Sequence, residues 1–336
     1  MKTTSVNNRR YLGNKYRLLP FITSIVSEYC PEVSSFADLF AGTGAVASAF
    51  TSKQLILNDI LYSNYICHLA WFSPANFSVA TVAELISYYN SVAVTDDNYM
   101  SYTFGNTFFS VEVCRQIGYI REDIESRFLA GSLTERERAL LITSLLYAAD
   151  KIANTCGHYD AYRQVDLQKR VLELALPTTY SDLNPLNKCY NQDCNSLAPS
   201  LSADLVYLDP PYNSRQYCDT YHLLENIAQW RQPAVSGVAR KMERSSLKSS
   251  YCTNKAAAAF DDLIRQISAK YILLSYNNMS QKGNIRSNAK LSDADILNSL
   301  RAKGEVRVFT QNHKPFSAGK SQIADNAERL FLCLCN

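Results

Sequence analysis

The residues best suited to chemistry form one tetrapeptide, Asp209, Pro210, Pro211 and Tyr212, directly after an apolar run at 204–208. The prolines fix φ and carry no backbone N–H group, so the turn is rigid and its carbonyl groups point outward. The Asp209 carboxylate and the Pro210 carbonyl can accept hydrogen bonds from an exocyclic amine, and the Tyr212 ring can stack on the attached heterocycle. The tetrapeptide indicates chemistry on the amino group of a nucleobase, although an ordinary strand-ending turn is the alternative.

A second motif predicts a nucleoside-containing cofactor. Segment 35–49 has the apolar pattern of a strand, then Gly42 and Gly44, then small residues that predict a helix. A glycine turn between strand and helix lets a cofactor approach the backbone closely. The next predicted strand, 54–58, is followed by Asp59, which could accept hydrogen bonds from both ribose hydroxyl groups. Dinucleotides and S-adenosylmethionine both fit these features, but only amine methylation has a use for the later proline turn.

Five motifs follow one another along the chain: RYLGNK at 10–15, FADLFAGTG at 36–44, ND at 58–59, QD at 192–193 and DPPY at 209–212. In this order they resemble the motifs of class-α (D12-type) DNA adenine-N6 methyltransferases, and the resemblance spans most of the chain. It implies a site-specific enzyme that transfers a methyl group from S-adenosylmethionine to N6 of an adenine flipped out of duplex DNA. The implied product is S-adenosylhomocysteine, and no metal is implied.

The resemblance also implies roles in the cofactor site. Tyr11 would pack on the cofactor's adenine, Asp59 would bind its ribose, and Asp193 would accept from its amino group. Asp38 would lie near the methionine ammonium group, and Lys15 would reach toward the cofactor or the target base. The implied cofactor site also includes Phe40, Gly42, Gly44 and Asp209.

Asp209, Pro210 and Tyr212 match the family's catalytic turn, where they would grip and stack on the extruded adenine. Two departures concern specificity. Leu39 stands where dam-like members usually have proline, and residues 12–14 replace their turn of a small residue and two glycines. The chemistry stays intact, but the DNA site of those members is a poor guide here.

Composition is that of a globular protein. With 336 residues, 47% of them hydrophobic, the chain can bury a large core. No run approaches the roughly 18 apolar residues that span a bilayer, and residues 1–10 lack the apolar core of a signal peptide. We therefore expect a cytoplasmic protein. The ten cysteines lack paired metal-ligand spacing, which favours free thiols over a metal site, also at Cys333 and Cys335.

Charge is unevenly distributed, although the net charge is only +3. Glu243 is the only acid in the basic segment, 231–255. The basic residues of interest in this segment are Arg231, Arg240, Lys241, Arg244 and Lys248. A basic segment next to a catalytic turn suits the phosphate backbone of double-stranded DNA. A mobile, solvated loop is the alternative.

Alternating strand and helix patterns predict an α/β fold, a doubly wound, mostly parallel, Rossmann-like methyltransferase sheet. Strands are predicted at about 34–40, 54–58, 188–193, 205–208 and 271–276, with a terminal antiparallel pair at about 305–310 and 329–335. Helical spacing alone appears at 77–94, 111–130 and 134–153.

This pattern predicts two regions. Residues 1–75 and 181–336 would form the catalytic domain, and 76–180 a helical insertion that recognises the target together with the basic segment. Within the insertion, residues 154–163 combine polar, aromatic and glycine residues after a long apolar helix. Tyr159 or Tyr162 could enter the DNA and fill the gap left by the flipped base. A helix-ending turn with satisfied polar groups is the alternative.

Other functions stay open from the residues alone. Adenine in RNA would suit the same turn. A protein glutamine would suit it less, because enzymes that methylate this amide commonly carry Asn as its first residue. A non-catalytic, cofactor-binding DNA-binding protein and a nicotinamide-dependent dehydrogenase are further alternatives. A cognate restriction endonuclease is a candidate partner, whereas the recognised DNA sequence and the oligomeric state do not follow from the chain.

Overall fold

A computed structural model describes residues 1–155, 157–163, 167, 170–277, 289–312 and 327–336. A seven-stranded sheet lies at its centre. In chain order the strands are β1 (Ser35–Asp38), β2 (Gln54–Asn58), β3 (Lys188–Tyr190), β4 (Ser202–Leu208), β5 (Ser268–Asn277), β6 (Gly304–Asn312) and β7 (Ala327–Cys335). Their order across the sheet is β6-β7-β5-β4-β1-β2-β3.

The sheet is parallel except for β7, which pairs antiparallel with both β5 and β6. β1 pairs in parallel with β2 and β4, β2 with β3, and β4 with β5. The prediction of a mostly parallel sheet with a terminal antiparallel pair is confirmed. Because parallel strands share one direction, the carboxyl ends of β1, β2 and β4 meet at the same edge, where α/β folds bind ligands.

Helices cover both faces of the sheet. They are α1 (Leu19–Tyr29), α2 (Tyr62–Phe72), α3 (Val79–Ser91), α4 (Tyr99–Phe104), α5 (Val111–Leu129), α6 (Glu135–Ile152), α7 (Cys194–Leu197), α8 (Tyr217–Thr220), α9 (His222–Gln229), α10 (Ala256–Gln266) and α11 (Asp293–Arg301). In β1, Phe36 packs in the cluster with α1, α2 and α9, whereas Ala37 packs in the cluster with α7, α10 and α11. This alternation along a strand gives the sheet two apolar faces, which confirms the doubly wound fold.

The predicted helices of the region 76–180 are present as α3, α5 and α6. Thr134 begins α6 with a capping box, in which its side chain accepts from the Glu137 N–H group and the Glu137 side chain accepts from the Thr134 N–H group. One hydrophobic cluster continues from Phe36 in β1 to Ile142 in α6. This helical region therefore shares its core with the sheet. None of the helices in the described ranges is long and apolar enough to cross a membrane.

The connection from β1 to β2 differs from the prediction. The small residues after Gly44 form a short 3-10 helix, Ala47–Ala49, where a regular helix was expected. Its tight turns place the Phe50 ring on Phe36, with ring centroids 4.3 Å apart. Tertiary packing of this aromatic pair overrides the helix propensity of the alanines. Gly44 has a φ of +83°, and a Cβ atom there would lie 2.7 Å from the Phe72 ring.

We expect Gly44→Ala to lower the free energy of unfolding by roughly 2–4 kcal/mol, because the side chain would adopt a left-handed backbone and meet Phe72. Gly131→Ala is the matched control, since its φ is +71° but no atom lies within 4 Å of its Cβ position. It should cost only about 1 kcal/mol. Urea unfolding of both variants measures the difference. Equal losses would show that Phe72 imposes no constraint.

Candidate active site

A cavity lies at the carboxyl ends of β1, β2 and β4. It joins the amino-terminal arm, the glycine turn, the ends of the three strands and the start of α7. The sequence-predicted residues that line it are Tyr11, Lys15, Asp38, Phe40, Gly42, Asp59, Asp193, Asp209 and Pro211. Gly44, Pro210 and Tyr212 are next to lining residues along the chain and not among them. The fold thus brings distant parts of the sequence to one site.

Two buried acids end the first two strands. Asp38 is the last residue of β1 and accepts a hydrogen bond of 3.2 Å from the Phe40 N–H group. Burial, with the nearby charge of Asp209, holds the pKa of Asp38 well above its usual range. Asp59 accepts from the Gly42 and Leu61 N–H groups at 2.9 and 2.8 Å. Burial raises the pKa of Asp59 to about 7, and the two backbone hydrogen bonds oppose that rise. The positive charge of Lys15 opposes the rise at Asp38.

Tyr11 and Tyr221 form an aromatic wall next to the glycine turn. The Tyr11 ring stacks on Tyr221, with centroids 4.7 Å apart and planes 9° from parallel. A Cβ atom on Gly42 would lie 3.1 Å from the Tyr11 ring. The absence of a side chain at Gly42 therefore lets the ring lie directly on the backbone. Asn64 of α2 donates to the Tyr11 hydroxyl group at 3.0 Å and fixes its position.

His68 of α2 contacts the same turn, and the sequence did not predict this contact. Its Nε2 atom lies 2.8 Å from the Gly42 carbonyl oxygen. Burial lowers the pKa of His68 to about 4, so the ring is neutral near pH 7 and its Nε2–H group can donate to that carbonyl. A polar residue on the buried face of α2 was the only sequence signal.

The turn 209–212 follows β4 and is held by Lys15. The Lys15 Nζ atom is 3.0 Å from Asp209 Oδ2 and 2.6 Å from the Tyr212 hydroxyl group. That hydroxyl group donates to Asp209 Oδ1 at 2.7 Å. The Tyr212 ring packs edge-on against Tyr276, with centroids 4.8 Å apart, and Tyr276 donates to the Tyr212 carbonyl at 3.2 Å. These contacts add to the restriction of φ that the two prolines impose.

Glu328 of β7 completes this ionic cluster. Its Oε1 atom lies 3.4 Å from Lys15 Nζ and 3.3 Å from the Tyr212 hydroxyl group. Burial raises the pKa of Asp209, the positive charge of Lys15 opposes that rise, and the negative charge of Glu328 adds to it. Sequence reasoning missed Glu328, although an acid at the start of a strongly apolar strand was a signal.

The carboxyl half of the basic segment closes one side of the cavity. Tyr251 is buried and packs edge-on against Phe40, with ring centroids 5.1 Å apart. Gln216 and Ser249 exchange hydrogen bonds of 3.0 and 2.8 Å between side chain and backbone. Leu247, Ser249 and Tyr251 line the cavity. The sequence predicted a DNA contact or a solvated loop for this segment and gave no sign of these wall residues, because their apolar spacing is irregular.

Asp193 lies at the amino terminus of α7. Its Oδ1 atom accepts from the Asn195 and Ser196 N–H groups at 3.0 and 3.1 Å, so it caps the helix. The residue is exposed and lines the cavity. Because one oxygen caps the helix, the carboxylate is fixed in orientation at the cavity rim.

The predicted DNA-binding residues of the basic segment fall into two groups. Arg231, Arg240 and Lys248 are exposed. Lys241 is 2.6 Å from Asp160, and Arg244 forms an ion pair with Asp219. These two pairs hold a β-hairpin, Val235–Ser236 with Lys241–Met242. Its tip carries Val238, which is 82% exposed.

The expectation that Tyr159 contacts DNA is wrong for this structure. Tyr159 is 1% exposed, and its hydroxyl group donates to Asp150 at 3.0 Å. Its backbone carbonyl oxygen lies 2.9 Å from Nε2 of the buried His222. The ring occupies the core between α6 and α9, where burial of its apolar surface is favourable. Tyr162 is half-buried against Phe108, with ring centroids 5.4 Å apart.

Comparisons with known proteins agree with this geometry. A model of the family described as "D12 class N6 adenine-specific DNA methyltransferase" matches residues 11–286. The modification methylase StsI of Streptococcus sanguinis is 35% identical over 308 residues, which cover 87% of this chain and 46% of that protein. The type II methyltransferase M.FokI of Planomicrobium okeanokoites is 30% identical, with 96% of this chain and 51% of that protein covered. The chain spans about half the length of these two relatives.

A third relative is covered almost end to end. The type II methyltransferase M.NlaIII of Neisseria lactamica is 33% identical over 325 residues, which cover 93% of each chain. The family match begins at Tyr11 and includes the glycine turn, Asp59, Asp193 and the turn 209–212. The chain therefore belongs to the D12 class of N6 adenine-specific DNA methyltransferases.

Proposed function

We propose that this chain transfers a methyl group from S-adenosylmethionine to N6 of an adenine extruded from duplex DNA. The observation that carries the proposal is the position of Asp209 at the wall of a cavity that also holds Asp38 and Asp59. Asp209 can accept a hydrogen bond from the target amine, while Asp38 and Asp59 bind S-adenosylmethionine. The proposed chemistry needs no metal ion, and a DNA substrate places the enzyme in the cytoplasm.

The cavity walls fit the proposed cofactor. Isolated buried carboxylates are costly, and the raised pKa values of Asp38 and Asp59 reflect that cost. A ligand with one ammonium group and a ribose would satisfy both acids. Asp59 would accept from the ribose hydroxyl groups, Asp38 would face the ammonium group, and Asp193 would accept from the adenine amino group at the rim. S-adenosylmethionine supplies an electrophilic methyl group and leaves as S-adenosylhomocysteine.

Flat, apolar side chains would hold the adenine of the cofactor. Tyr11 presents a ring already fixed by Tyr221 and Asn64, and Phe40 is fixed by Tyr251. Preorganised rings lose little conformational entropy when a ligand binds. The bare backbone of Gly42 lets the Tyr11 ring take this position, because a Cβ atom there would lie 3.1 Å from the ring.

The catalytic turn would activate the target amine. Adenine N6 is a poor nucleophile, because its lone pair is delocalised into the ring. Hydrogen bonds from its two N–H groups to the Asp209 carboxylate and the Pro210 carbonyl would localise that pair. They would also stabilise the positive charge that develops as the methyl group arrives. Extrusion costs a few kcal/mol, of which stacking on Tyr212 can return about 1–3 kcal/mol.

We propose that the helical insertion 76–180 and the basic segment form the DNA-recognition region. The exposed Arg231, Arg240 and Lys248 would contact phosphate groups. Lys241 and Arg244 would shape the surface through their ion pairs with Asp160 and Asp219. The relatives are named type II methyltransferases and modification methylases. By this likeness, a cognate restriction endonuclease is the proposed partner.

Adenine in RNA is the second candidate substrate, because the catalytic turn grips only the base. Radiolabelled methyl transfer to unmethylated duplex DNA and to RNA of the same sequence would separate the two. Label in DNA, recovered as N6-methyladenine, supports the proposal. Label in RNA alone would overturn the DNA assignment, and no transfer to either would favour a non-catalytic, cofactor-binding protein.

We expect Asp209→Ala to abolish methyl transfer while largely preserving cofactor binding, because the acceptor for the target amine is lost. Turnover is measured with radiolabelled donor, and binding by calorimetry. Asp182→Ala is the matched control, because Asp182 is an exposed acid outside the insertion and outside the cavity lining. Equal loss of methyl transfer and cofactor binding in Asp209→Ala would mean that Asp209 supports the fold and not the reaction.

Cofactor affinity should rise with pH. The pKa of Asp59 is raised to about 7, so its carboxyl group is protonated below that pH and becomes an ionised acceptor above it. Ribose hydroxyl groups bind the ionised form better, so the affinity should increase from about pH 6 to about pH 8, by at most tenfold per pH unit. Calorimetry checks this. Asp59→Asn should bind weakly with a flat profile, and a flat wild-type profile would contradict the assignment.

Arg231→Ala, Arg240→Ala and Lys248→Ala should each weaken DNA binding. Each should also reduce the slope of log affinity against log salt by about 0.9, the value for one lost phosphate contact. Turnover at saturating DNA should not change, because these residues lie outside the cavity lining. Arg265→Ala removes an exposed cation of α10 as the control. If Arg231→Ala, Arg240→Ala and Lys248→Ala all have the same salt slope as the wild type and the control, the basic segment is not the DNA surface.

A further inference from the structure

Two acids share the buried ammonium group of Lys15. Lys15 is 5% exposed, and its Nζ atom lies 3.0 Å from Asp209 and 3.4 Å from Glu328. Among the described residues, these are the carboxylates paired with it. Tyr212 joins them, since its hydroxyl group accepts from Lys15 and can donate its one proton to Asp209 at 2.7 Å or to Glu328 at 3.3 Å. Both the cation and the hydroxyl proton therefore have two alternative acceptors.

Both oxygen atoms of Asp209 are occupied in this arrangement. Lys15 lies at Oδ2 and the Tyr212 hydroxyl group at Oδ1. The proposed function, on which this inference rests, requires Asp209 to accept from an N–H group of the target adenine. A carboxylate can accept about four hydrogen bonds, so the adenine would share Asp209 with these two donors, and both of them withdraw charge from the carboxylate. A buried ammonium group that loses its counter-ion is strongly destabilised, so Lys15 can release Asp209 to the substrate only if another acid holds the ammonium group.

We propose that Glu328 is a positioning residue that takes over the Lys15 ammonium group and the Tyr212 hydroxyl proton when Asp209 engages the target adenine. Glu328 lies at the start of β7, where it pairs with Asn277 at the end of β5. It lies outside residues 11–286, which match the family model. The motifs of the catalytic turn therefore do not contain it, although it contacts two of the residues that the motifs supply.

The test is the turnover of Glu328→Gln with saturating donor and DNA. We expect kcat to fall about 10- to 100-fold, because Lys15 would stay on Asp209. The KM for S-adenosylmethionine and the melting temperature should stay close to wild type. Glu328→Asp keeps the charge and should restore part of the loss. Glu305→Gln, an exposed acid on the neighbouring β6, is the matched control and should have wild-type kcat.

A double variant separates this role from a structural one. If Glu328 acts through Lys15, the loss in Lys15→Met with Glu328→Gln should be no larger than in the worse single variant. Losses that multiply would overturn the inference. So would an unchanged kcat in Glu328→Gln, or in Glu328→Ala should the Gln variant fail to fold.

The pH profile gives a second signature. The charge of Glu328 raises the pKa of Asp209, so its removal should move the acid limb of kcat to lower pH. A purely structural loss would lower kcat without that shift. The charged and titratable groups around Asp209 are Lys15, Glu328, Asp38, Tyr207, Tyr212 and Tyr217. Absence of wild-type turnover would overturn the methyl-transfer proposal as well, whereas wild-type turnover with an unimpaired Glu328→Gln would overturn this inference alone.

Discussion

The ionic contact between the Lys15 ammonium group and the Asp209 carboxylate is the interaction on which the rest of the site depends. It joins the amino-terminal arm to the turn after β4 across a sequence separation that no local structure could bridge. A buried cation and a buried acid are each unfavourable alone, so each requires the other. Glu328 and the Tyr212 hydroxyl group complete the pairing, which ties β7 to the same point.

The parallel sheet supplies the geometry around this contact. Asp38 ends β1, Asp59 and Asp209 directly follow β2 and β4, and these three strands are adjacent in the sheet. Three acids therefore face one cavity, where burial raises the pKa of each of them. Such a cluster of buried acids is costly, because burial and like charges both disfavour the ionised form.

Large parts of this arrangement could be predicted from the sequence. The strands, the helices of the insertion and the capping box at Thr134 depend on periodicity and local hydrogen bonds, which a sequence records directly. Tyr159 was assigned wrongly, because a sequence does not distinguish an aromatic ring that contacts DNA from one that packs in the core. The prediction of a regular helix after Gly44 was wrong for a related reason. The packing of Phe50 on Phe36 outweighed the helix propensity of the small residues.

The sequence by itself determined the chemistry: an acid, two prolines and a tyrosine after an apolar strand, preceded by a glycine turn and a second acid. Only the tertiary structure decided which partners act on these groups. Glu328, His68 and Tyr251 reach the site from three separate elements, and their spacing along the chain does not predict this. Strand order and burial create those contacts, because electrostatic and packing interactions depend on distance in space and not on distance along the chain.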